Sequence, residues 1–259
     1  MIFSTIVWGI DPTLLKMGPL EIRYYGLLFA TGFYVGYLIA NKSFKEQGIS
    51  EKWLEKLFVY VGVATILGAR LGHVFFYDWP YYSEHPAEIL KIWRGGLASH
   101  GATVAILFAA WLYGRKIGKG MLWVMDEVVV PIAFAGFCIR LGNFFNSEII
   151  GIPTSLPWGV VFENVDDIAR HPAQLYEAVA YLTMFFIMRK VNWFSEGKGR
   201  KFGFTILAIF TARFIIEFVK ENQVSFEDGM FFNMGQLLSL PLIVYGAWLM
   251  IKAKKNHAE

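Results

Sequence analysis

The sequence predicts an all-α protein built into a membrane, a polytopic bundle of about seven transmembrane helices forming one domain over residues 1–259. Three observations predict it. The chain is 56% hydrophobic and only 17% charged, with a mean hydropathy of +0.44, too apolar for a soluble domain of this length. Apolar runs long enough to cross a bilayer recur along it. Its lysines and arginines fall into blocks that alternate with those runs.

The runs cover residues 22–40, 54–76, 97–113, 121–138, 175–188, 202–219 and 235–251, the fifth being short enough to begin in the loop before it. Residues 1–21, with Trp8, Pro12 and Pro19, are apolar but interrupted and read as an arm lying in the outer interface. No basic region or small-residue cleavage site precedes the first long run, so no removable signal peptide is expected. Lys42, Lys45, Lys52 and Lys56 follow the first run, and Arg115, Lys116 and Lys119 the third. Arg189, Lys190, Lys198, Arg200 and Lys201 follow the fifth, and Lys252, Lys254 and Lys255 the last. By the positive-inside rule these blocks are cytoplasmic, which puts the amino terminus outside and the carboxyl terminus inside. The segments 77–96, 139–174 and 220–234 are then outer loops. No internal repeat or low-complexity linker divides the chain.

Polar residues at the outer ends of these runs are costly unless paired or bound, so they mark a candidate site. Arg140 and Asn143 share a helical face and can present donors to an anion, since a guanidinium matches the oxygens of a phosphate. Arg70 and His73 share a face of the second run. His100, among Gly95, Gly96, Gly101 and Ala102, can take a proton near neutral pH. Arg213 and Glu217 are one turn apart, spaced either to pair structurally or to let the carboxylate position the arginine for an anionic ligand. Arg70, His100, Arg140 and Arg213 come from four runs at the same outer depth, with few carboxylates to cancel them. Together they describe a pocket for an anionic phospholipid. The single cysteine, Cys138, excludes an intrachain disulfide or a cysteine metal cluster and reads as a buried apolar residue. No cofactor, metal ion or nucleic-acid partner is expected.

These residues resemble the bacterial prolipoprotein diacylglyceryl transferases. The resemblance runs through Tyr24-Tyr25-Gly26, Gly68-Ala69-Arg70-Leu71-Gly72, Ser99-His100-Gly101 and Arg140-Leu141-Gly142-Asn143-Phe144 with Asn146, Glu148 and Gly151. It continues in His171-Pro172-Ala173-Gln174-Leu175-Tyr176-Glu177, Arg213 with Glu217, and Met234-Gly235-Gln236. It implies a seven-span enzyme of the bacterial inner membrane whose site faces the periplasm. There the diacylglyceryl group of phosphatidylglycerol passes to the thiol of the lipobox cysteine of a prolipoprotein, giving a thioether and glycerol 1-phosphate. It also implies that His100, Arg140 and Arg213 are catalytic. Arg140, Asn143, Tyr25, Arg70, Glu148, Gly151, Glu217 and Gln174 would bind the lipid, with residues 139–174 as the outer substrate-binding region. The chain departs from the family pattern at Ile139, at Ala102 and at Ile209, where glycine, glycine and tyrosine are usual. A transporter or channel for an anionic solute would also use inward arginines. The odd number of runs, the lack of a repeat and the confinement of the polar cluster to one side argue against it.

Overall fold

A computed structural model describes residues 6–18, 20–92, 95–191, 197–221 and 230–255. Each of the seven expected runs coincides with a helix. These are α1 (Tyr24–Glu46), α2 (Glu51–Phe76), α4 (Ser99–Ile117), α5 (Met121–Phe145), α6 (Ala173–Lys190), α7 (Arg200–Ile216) and α8 (Met234–Lys255), with a short α3 (Trp79–Glu84) after α2. Among the described residues, four helical stretches are long and apolar enough to cross a membrane: Glu51–Phe76, Met121–Phe145, Arg200–Val219 and Met234–Ala253. The chain divides into two compact units, one of Met1–Ile39 with Val128–Glu259, the other of Ala40–Glu127.

In the smaller unit α2 and α4 approach closely. A Cβ on Gly101 would stand 2.1 Å from the carbonyl oxygen of Gly68, so the contact needs hydrogen at that position. The Ala98 amide donates to Ala69 O at 2.8 Å, and Tyr113 ties the other end through a bond to Trp53 O. α4 stops at Gly118, whose left-handed conformation lets its N–H return to the helix carbonyls, and Arg115 and Lys116 favour that negative helix end. Val59, Val63 and Leu67 of α2 are half or more exposed, a surface suited to lipid.

The larger unit is organised by α5. Val129, Val130 and Ala133 pack against Met184, Phe185 and Met188 of α6. Beyond α5 the chain departs from the all-α expectation. β1 (Ile6–Trp8) pairs in parallel with β4 (Val160–Phe162), which pairs antiparallel with β5 (Ala169–Arg170). β2 (Thr13–Met17) and β3 (Leu20–Arg23) form a separate hairpin. Residues 1–21 are therefore not a simple interfacial arm, although the first five residues and Pro19 lie outside the described set. Short runs rich in β-branched and aromatic residues suit strands, and this pairing carries Trp8 onto Phe144 at 4.4 Å between ring centres. Phe144, Ile150, Val160 and Phe162 complete a small apolar core directly past Arg140.

Candidate active site

The end of α5 is built around a turn that few residues adopt easily. Ser147 and Ile149 both have positive φ, at 55° and 56°, and for a β-branched residue that backbone is strained. The turn brings Glu148 back under the helix, where its amide donates to Asn143 O. Asn143 Nδ2 donates to Glu148 Oε2 at 3.0 Å and Asn146 Nδ2 to Glu148 Oε1 at 3.1 Å, so both carboxylate oxygens are occupied. This fixes the Asn143 amide with its oxygen toward Arg140, which donates to it at 3.3 Å. Gln174, fully buried, donates to the Glu148 backbone carbonyl, and the ring of Tyr25 lies over Gly142 so closely that a Cβ there would be 2.6 Å from it.

α6 supplies the counter-ion. Glu177 Oε2 stands 2.6 Å from Arg140 Nε, and Lys220 Nζ lies 3.3 Å from Glu177 Oε1 and 3.5 Å from Glu217 Oε2. Arg213 closes the series more loosely, 3.9 Å from Glu217 and nearly half exposed. Charges thus alternate Arg140, Glu177, Lys220, Glu217, Arg213, a correction to the expectation of few carboxylates here. A cavity of about 170 Å³ lies beside them, lined by Arg140, Glu177, Tyr181 and Arg213 among apolar neighbours.

Gly151 seats Lys220. It forms an isolated antiparallel bridge with that residue while its amide donates to His171 O, and a Cβ would come within 2.4 Å of Val219 O. Arg170 braces the same loop through Asp166, Glu221 and the carbonyl of Gly151. The Arg170 guanidinium holds the Asp166 carboxyl below its ordinary range. Glu177, Lys220 and Tyr181 had no role assigned from the sequence. The spacing of Glu177 and Tyr181, one helical turn on the face that opens this span, was the available signal.

In the smaller unit Arg70 has a different occupation from the one expected. It is 3% exposed and donates from Nε to Ile89 O at 2.8 Å, from Nη1 to Gly95 O at 2.6 Å and to Gly96 O at 3.2 Å, and from Nη2 to Glu88 O. Its face lies 4.9 Å from the ring of Tyr82. These donors fold the loop after α3 and are committed to backbone, which corrects the reading of Arg70 as a lipid ligand. His100, exposed in the first turn of α4, lines a groove of about 750 Å³ with Gly72, Phe75, Phe76 and Phe108. Arg140 and Arg213 therefore share a cavity in one unit, whereas Arg70 and His100 belong to the other.

Residues 12–252 match the family described as prolipoprotein diacylglyceryl transferase. A phosphatidylglycerol–prolipoprotein diacylglyceryl transferase of Tolumonas auensis is 43% identical over 257 residues, covering 98% of this chain and 100% of the relative. A protein of the same name from Chloroherpeton thalassium is 40% identical over 257 residues, covering 98% and 96%. Another, from Porphyromonas gingivalis, is 44% identical over 270 residues, covering 97% and 95%. The family match and this likeness over nearly the whole length agree: the chain belongs to the prolipoprotein diacylglyceryl transferase family.

Proposed function

We propose that this protein transfers the diacylglyceryl group of phosphatidylglycerol to the thiol of the lipobox cysteine in prolipoprotein signal peptides. The sulfur forms a bond to the glyceryl carbon, the carbon–oxygen bond to phosphate breaks, and glycerol 1-phosphate leaves with the electron pair. The thiol proton must depart. No step requires a metal or cofactor, because cationic side chains can receive the charge that grows on phosphate.

The observation that carries this reading is the setting of Arg140. Its partners, Asn143 and Glu177, are side chains beside a cavity, so its donors can be exchanged for phosphate oxygens without unfolding a backbone segment. Arg213, loosely held and half exposed, is the second arm for the phosphate. Asn143 orients Arg140. Glu148, Gln174, Gly151, Tyr25 and Glu217 hold the frame. His100 is our candidate for the group that takes the thiol proton, being an exposed imidazole on an apolar groove.

The protein has seven spans in this proposal, with the amino terminus and the site on the periplasmic side of the inner membrane, a reading supported by the cation blocks along the sequence. A cysteine introduced in the loop 139–174, with Cys138 replaced by Ala, should react with an impermeant thiol reagent added to intact spheroplasts, and one at Lys198 should not. The reverse pattern would invert the orientation. The activity itself is tested by incubating purified protein with phosphatidylglycerol and a lipobox peptide. Thioether-linked diacylglyceryl peptide and free glycerol 1-phosphate should appear together. Lipid movement without a peptide acceptor and without release of glycerol phosphate would favour a transporter instead.

A further inference from the structure

Binding of a phosphate leaves one feature of the cavity unused. Glu177 Oε2 and Glu217 Oε2 are both buried and accept no aligned hydrogen bond. Glu177 Oε2 is close to Arg140 Nε, at 2.6 Å, but off the N–H direction, so the contact is one of charge alone. Buried carboxylate oxygens ordinarily accept donors, and an oxygen left without one is a costly arrangement unless something arrives to fill it. Glu177, only 6% exposed, lines the cavity, and Glu217 does not. When Arg140 turns toward a phosphate, Glu177 Oε2 also loses its charge contact.

The charge count sets what can arrive. Arg140, Arg213 and Lys220 against Glu177 and Glu217 leave one net positive charge, which a single phosphodiester cancels. A lone carboxylate next to that phosphodiester would attract an ammonium more strongly than a hydroxyl. Lys220 removes that preference, because its buried ammonium already lies 3.3 Å from Glu177 Oε1 and repels a second cation at the same place.

We propose that Glu177 and Lys220 read the alcohol portion of the donor lipid's headgroup: Glu177 Oε2 accepts a headgroup hydroxyl, and Lys220 disfavours any headgroup that carries its own cation. This rests on the reading that the cavity takes the phosphodiester of the donor lipid.

The test uses the purified full chain, a lipobox peptide and three donors with identical acyl chains. Phosphatidylglycerol carries hydroxyls, phosphatidylethanol has the same charge without a hydroxyl, and phosphatidylethanolamine carries an ammonium. Since a hydrogen bond to a charged group is strong, the parent should use phosphatidylglycerol about tenfold or more better than phosphatidylethanol. Glu177→Met should bring that ratio to within roughly twofold of unity, because the acceptor is gone. Lys220→Met should raise the use of phosphatidylethanolamine relative to phosphatidylglycerol by about tenfold, and Lys220→Arg should not. Ratios are read rather than rates, because loss of the counter-ion of Arg140 slows every donor alike.

A parent that uses phosphatidylethanol as well as phosphatidylglycerol overturns the inference without any variant, whether or not Glu177→Met folds. So does a parent ratio retained in Glu177→Met, or an unchanged phosphatidylethanolamine ratio in Lys220→Met. Transfer from none of the three donors would instead remove the donor reading itself, and this inference with it.

Discussion

Arg70 and Arg140 sit near the C-terminal ends of their helices, each two residues before a glycine and each mostly buried, yet they are used in opposite ways. Arg70 gives its donors to four backbone carbonyls of one loop. Arg140 gives a donor to the side chain of Asn143 and its charge to the carboxylate of Glu177, beside a cavity. A carbonyl in a folded loop cannot be released without moving the loop, whereas a carboxylate or amide can turn away. An arginine partnered by side chains can therefore pass its donors to a ligand, and one partnered by backbone holds structure.

The comparison breaks first at Arg140→Ala. Removing donors aimed at the leaving phosphate should lower transfer by at least about 10³-fold, with the protein still inserted and folded. Arg140→Lys should recover little of this, since an ammonium cannot engage phosphate with a planar fork. Activity of the alanine variant within a few-fold of the parent would show that Arg140 is as structural as Arg70.

His100 asks whether the unit of Arg70 takes part in chemistry at all. General-base help is commonly worth 10² or more, so His100→Gln should lower turnover by about 10²-fold with little change in binding of phosphatidylglycerol. With an imidazole as base, the variant also loses the rising limb of the parent's pH–rate profile. A variant that keeps the limb at reduced amplitude would leave His100 as a wall of its groove.

The contrast between the two arginines was not legible in the sequence. Both occur in an apolar run beside small residues, and periodicity places each on an inward face without saying what lies opposite. The helices themselves were legible, because run length and apolar composition are local properties, and all seven fall where the runs do. Arg140, Asn143 and Glu148 were legible for the same reason, lying within nine residues of one another. The small sheet was not, since β1 finds its partner β4 some 150 residues later and three-residue strands carry no period of their own. Lys220 was missed because its role depends on Glu177, which arrives from α6, 43 residues earlier in the chain.

Arg70 should reveal itself in stability. Arg70→Met removes four donor contacts from loop carbonyls that are partly open to water, so the expected loss is about 2 kcal/mol, with a lower thermal midpoint in detergent. Transfer per folded molecule should fall far less than in Arg140→Ala. A large loss of activity at unchanged stability would return Arg70 to the lipid site.

The smallest effect separates two kinds of structural arginine. Arg170 braces its loop as Arg70 does, and it too reaches a carbonyl, that of Gly151, but its main partner is the carboxylate of Asp166. Arg70's carbonyls do not titrate, and Asp166 does. The hydrogen bond from Arg170 holds the Asp166 carboxyl below its ordinary range. A carboxyl depressed in the folded state stabilises the fold fully above its unfolded value, about 3.9, and that stabilisation is lost as pH falls through the folded value. Asp166→Asn should therefore lower the thermal midpoint slightly at pH 6 to 8, and the gap to the parent should close as the pH is taken below about 4. Arg70→Met should show a gap that stays nearly constant over the same range, because the carbonyls that take its donors do not titrate. If the Asp166→Asn gap also stays constant in acid, Arg170 holds its loop through carbonyls and Glu221, and the two arginines are of one kind.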